Sequence, residues 1–143
     1  MDFNKIEELK SVRKQKSILI ERELQLSIPL LTNLNLIETL YEWFKEMLSA
    51  RNCPPRAESP SWRKKFIFII LFLYSPSALA GGRIASGLRN RLTEVLKLRS
   101  ACIISISVTD VIFLYRQYKG FRQDVENIYT ELWNRLKSKG LIS

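Results

Sequence analysis

Five cationic side chains, Arg83, Arg89, Arg91, Lys97 and Arg99, fall within 17 residues, with Glu94 the only acid among them. Fixed cations at that density suit a polyanion, because each one that meets a phosphate releases a condensed counterion. Other chemistry is poorly served. The chain has no His, the residue most used for proton transfer near neutral pH and the commonest metal ligand. Cys53 and Cys102 are 49 positions apart with no further thiol, so neither a zinc ligand set nor a disulfide framework is expected, and a reducing compartment fits. Gly82 and Gly87 have the G-x-x-x-x-G spacing of a phosphate loop, but Leu88 and Arg89 stand where Lys and Ser or Thr are needed. Asp124 and Glu126 are two apart on a predicted helix, point to different faces, and read as solvated charges rather than a carboxylate pair. Tyr74, Tyr115, Tyr118 and Tyr129, and the tryptophans Trp62 and Trp133, read as packing groups. Binding without catalysis, metal or cofactor is the expectation.

The charge has an address. Over 143 residues, 23 Lys+Arg against 14 Asp+Glu leave a net +9. Residues 1–50 hold 7 basic and 8 acidic side chains (net −1), and residues 51–143 hold 16 and 6 (net +10). Between them, Arg-Asn-Cys-Pro-Pro-Arg-Ala-Glu-Ser-Pro-Ser carries three of the five prolines and reads as a linker over 51–61. The predicted organisation is a helical N-terminal region over 1–50, suited to dimerisation, and a basic helical domain over 62–143.

Spacing predicts an all-α fold. Leu36, Ile37, Leu40, Phe44, Met47 and Leu48 recur every three or four residues, as do Phe121, Val125, Ile128, Leu132 and Leu136 in a final helix from 121 to 139 that Gly140 stops. Ile6, Leu9, Ile20, Leu24 and Leu26 suggest one or two helices ending near Pro29. Further helices are predicted over 62–74, 76–80 and 83–97, the last with Ile84, Leu88, Leu92, Val95 and Leu96 inward. The uncharged run from Phe66 to Gly82 tests for a membrane span. Its apolar part ends after nine residues, at Tyr74, where a span needs about 20, so a buried helix is expected. The opening residues carry mixed charge and no apolar core, so the chain reads as cytoplasmic. Residues 104–109, Ile-Ser-Ile-Ser-Val-Thr, alternate like a strand. A strand needs a partner and no second such segment exists, so a short helix is favoured.

From Arg89 to Val108 the chain resembles a helix-turn-helix, the 20-position unit whose second helix enters the DNA major groove. Counting Arg89 as one, its apolar positions 4, 8, 10, 15 and 18 are Leu92, Leu96, Leu98, Ile103 and Ile106. Two positions depart from the pattern: Thr93 stands at the small position 5, and Lys97 replaces the usual glycine at position 9, at a steric cost if the turn needs positive φ. The resemblance implies double-stranded DNA as partner, with Arg83, Arg89, Arg91, Lys97 and Arg99 on phosphates. The outward positions of the second helix would be Arg99, Ser100, Ala101, Ile104, Ser105 and Val108. Ser100 would cap that helix, Ser105 meet a base edge and Ile104 a thymine methyl. With no Asn, Gln or Lys there, weak sequence discrimination is expected. The layout is similar to small regulators of the prophage or mobile-element type; a two-fold site on DNA needs a dimer, and residues 1–50 are the place to build one. Two other classes compete: a helical protein–protein interaction module built on the N-terminal helices, and a membrane-associated protein using residues 66–74.

Overall fold

A computed structural model describes residues 2–142, and among them every regular element is a helix. In chain order they are α1 (Asn4–Leu26), α2 (Leu36–Ser49), α3 (Pro60–Tyr74), α4 (Pro76–Leu79), α5 (Leu88–Val95), α6 (Cys102–Gln117) and α7 (Lys119–Ser138). The segment that alternates like a strand is the start of α6, so the helical alternative holds.

The apolar run is the axis of the molecule. A helix that is hydrophobic all round must be covered on nearly every side, and α3 is: Lys65 to Leu71, Leu73 and Tyr74 are buried, and between them only Phe72 reaches the surface. Helices α2, α6 and α7 pack on it, and contacts α2–α5, α5–α6, α6–α7 and α7–α2 close a ring. Ser59 precedes α3 in extended conformation and Pro60 opens it, where a missing N–H costs nothing. At its other end, Leu30 and Leu31 donate backbone N–H groups to the Leu73 carbonyl at 2.9 and 3.0 Å, and the Tyr74 hydroxyl donates to the Asn33 carbonyl at 2.7 Å. Burial holds that phenol far above its usual pKa. No helix among the described residues is long and apolar enough to cross a membrane. Of residues 66–74, the segment of the membrane-associated alternative, only Phe72 is exposed, at 40%, and the other eight are buried.

The periodic stripes read from sequence are inward. On α2, Ile37, Leu40, Phe44, Met47 and Leu48 are buried, and on α7 all five of Phe121, Val125, Ile128, Leu132 and Leu136 are. Phe44 and Phe66 bring ring centroids to 5.1 Å, so α2 belongs to the same core as α3. Residues 51–61 therefore join two core helices rather than two bodies. That segment is held down by buried Ala57 and by Arg51, whose guanidinium stands 4.5 Å over Trp62.

Three boundaries moved. The helix predicted over 83–97 is only Leu88–Val95, because Gly87 is left-handed (φ 81°) and starts it, leaving Arg83 on the preceding loop. The break before the last helix falls at Tyr118, in extended conformation, and Gly120 lies inside α7. Of the one or two helices expected before Pro29 there is one, the uninterrupted 23-residue α1, which stops at Leu26, and none of its residues is buried.

Candidate nucleic-acid interface

The corner from α5 to α6 gathers most of the predicted residues. Leu88 and Leu92 bury one side of α5, and Leu96 ends the turn's inward face. Lys97 then adopts φ 56°, the only positive φ at a non-glycine among the described residues. The left-handed turn conformation that glycine usually supplies is thus present, made by a lysine. Strain of this kind costs about 1 kcal/mol. Lys97→Gly is expected to raise stability by about 0.5 kcal/mol, or roughly 2 °C in Tm, because the looser unfolded chain offsets part of the strain relieved; calorimetry on the two proteins checks this.

The second helix differs by one residue from the expected register. Its buried face is Ile104, Ser107 and Val111, whereas Ile106 is 67% exposed and Ile103 only half-buried. So Ile106 is not the inward residue at position 18, and Ile104 cannot meet a thymine methyl. Val108, expected outward, packs partly against the core. The reason is that α6 is 16 residues long and packs on α3 along its length, so this contact chooses the stripe. The turn absorbs the extra residue. The outer face near the corner is Cys102, Ser105, Ile106 and Thr109.

The basic residues divide into two groups. Arg83, Arg89 and Arg99 are exposed, and no carboxylate of the described residues lies within ion-pair distance of any of them. Arg89 Nη1 donates to Ser105 Oγ at 3.1 Å, which ties α5 to α6 and leaves the other guanidinium donors in solvent. Arg83, Arg89 and Ser105 share the rim of one open cavity of about 370 Å³ that runs past Gly87. Ser100 accepts the Cys102 N–H at 3.1 Å, satisfying one of the orphan donors of the α6 N-terminus in the capping role expected of it, although Ala101 occupies the capping position.

Arg91 is different. Only 25% of its side chain is exposed; it reaches Glu94 at 3.1 Å and Glu38 at 3.4 Å, and donates to the Leu34 carbonyl. It fastens α5 to α2 and has no free fork for phosphate. Lys97 is exposed but borders another cavity, of about 550 Å³, with Glu38, Glu42, Glu58 and Glu94 among its walls. The ion pairs there are internal, as in Lys45–Glu42 at 2.9 Å, where the carboxylate holds the ammonium pKa above its usual value.

Sequence reasoning missed two polar contacts, one part-buried and one at the surface. Asp124 is not a free surface charge: it holds Lys65, 9% exposed, at 2.8 Å. Glu126 accepts the Tyr115 hydroxyl at 3.2 Å. Burial first, then that carboxylate, raises the Tyr115 pKa; Tyr41 and Tyr129 are raised by burial too. These phenols stay protonated at neutral pH, so they are not activated nucleophiles. The signal for the Lys65 contact is a lysine inside an apolar helix, since a buried cation demands a partner.

Compared with protein-family models, with characterised proteins and with solved structures, the chain matches none.

Proposed function

We propose that this chain is a non-enzymatic, cytoplasmic DNA-binding protein of regulatory type, in which α5, the 96–101 turn and α6 form a helix-turn-helix with one additional turn residue. The observation that carries this reading is the set of exposed arginines without a carboxylate partner, Arg83 and Arg89 on the rim of one open cavity with Ser105, and Arg99 on the turn between the packed helices α5 and α6. Lys97 is the fourth exposed cation: although it borders the cavity walled by Glu38, Glu42, Glu58 and Glu94, none of the ion pairs there is its own, so its ammonium is counted with the arginines. The outer face of α6 offers Ser105, Ile106 and Thr109 to the groove, small or apolar groups with little hydrogen-bonding pattern. Affinity therefore rests mainly on phosphates, and discrimination between sequences is weak.

Fluorescence anisotropy of a labelled duplex tests it. With four phosphates neutralised at a slope of about 0.9 each, affinity falls about 150-fold between roughly 50 and 200 mM salt. Absence of binding at the lower salt sinks the reading.

A further inference from the structure

Helix α1 contributes nothing to the core, yet along it Leu9, Val12, Lys16, Leu19, Glu23 and Leu26 alternate at spacings of three and four, the seam of a two-stranded helix pair. Leu9, Val12, Leu19 and Leu26 are all more than half exposed. A single helix of 23 residues, about 34 Å long, is marginal in water without a packed face. We infer that α1 pairs with α1 of a second copy of this chain, antiparallel, with the two-fold axis between residues 17 and 18.

The charges choose the direction. Residues 10–16 carry Lys10, Arg13, Lys14 and Lys16 and no acid, while residues 19–25 carry Glu21, Arg22 and Glu23. A parallel, in-register pair sets the basic block on itself, with Lys16 against Lys16 and Glu23 against Glu23 in the seam, and like charges there are destabilising. The antiparallel pair layers Leu9 on Leu26, Val12 on Glu23 and Lys16 on Leu19. It puts Lys16 one layer, about 6 Å along the axis, from Glu23 of the partner subunit, twice by symmetry. Lys16 and Glu23 are exposed, and neither has an ion-pair partner within the described chain; on α1 only Lys10 and Glu7 pair, at 3.5 Å. Two polar positions in a six-position seam set register and direction at some expense of stability, so the dimer is a reversible one. This inference stands apart from the DNA reading, since it concerns a different helix and is tested without nucleic acid.

Sedimentation equilibrium on the full chain, over a wide concentration range, reads the result. The natural chain should show a monomer–dimer equilibrium. Lys16→Glu and Glu23→Lys should each raise the dimer dissociation constant about tenfold, as two attractions become repulsions, and the two changes on one chain should restore it. A parallel pair leaves all four proteins alike, which overturns the direction. A chain that is monomeric at every concentration overturns the dimer, and flotation of that monomer with anionic vesicles would name a lipid surface as the occupant of α1. Trp43, Trp62 and Trp133 lie outside α1, so their fluorescence melting should be the same in all variants and separates loss of pairing from loss of fold.

Discussion

Arg83→Ala, Arg89→Ala and Arg99→Ala together are expected to cut duplex affinity at low salt on the order of 100-fold, and to flatten its salt dependence to about fourfold between roughly 50 and 200 mM. The three side chains are exposed and unpaired with carboxylates among the described residues, so their removal costs the fold little. Only Lys97 then remains at the turn, which is why one phosphate's worth of salt dependence survives. Arg91→Ala is the internal contrast. Its guanidinium is tied to Glu38, Glu94 and the Leu34 carbonyl, so the substitution should lower stability by about 1 kcal/mol and leave the salt slope unchanged. Anisotropy titrations at two salts and a thermal melt of each variant separate the outcomes. A triple variant that keeps the full slope would remove the phosphate contacts from this corner.

Asp124→Asn is expected to destabilise the chain by about 2 kcal/mol, lowering Tm by roughly 8 °C. Lys65 Nζ sits 2.8 Å from Asp124 and 3.6 Å from the centre of the Trp62 ring, and α3 gives it no other anion. Removing the carboxylate strands a buried ammonium. Breaking a fully buried pair costs more, about 3–5 kcal/mol; here Asp124 is 32% exposed, so water compensates part of the loss. Lys65→Met with Asp124→Asn removes both charges and should recover most of the stability, because a thioether fills the same apolar slot. Chemical denaturation of the single and double variants checks the order. A double variant no better than the single would locate the cost in packing at Trp62 rather than in the charge.

Much of the fold was legible because its signals are local. A stripe repeating every three or four residues needs only one face of burial, so α7 was found with its inward residues correct and α2 with all but Leu36, which opens the helix outside the core. The apolar run of α3 was recognisable as a core helix from its length alone. The alternating segment 104–109 was resolved by a different kind of argument, the absence of a partner strand. The α5–α6 corner was legible in part. Its cations and its turn could be located, but the register of α6 could not, because Ile103, Ile104 and Ile106 are chemically equivalent candidates within four positions. Nor did spacing separate Arg91 from its neighbours, although only Arg91 points at α2.

By itself, the amino-acid sequence determined an all-helical chain with its positive charge after residue 50, no imidazole for proton transfer, and the inward stripes of its most regular helices. Those follow from composition and from the helical repeat, which any window of the chain carries. The tertiary structure alone decided that Arg91 is a structural tie, that Ile104 rather than Ile106 is buried, that Asp124 serves Lys65, and that among the described residues none of α1 is buried. Each depends on which surfaces meet: Arg91 and Glu38 are 53 residues apart and Lys65 and Asp124 are 59 apart. No local pattern encodes such pairings, because burial and charge compensation are properties of the packed helices together.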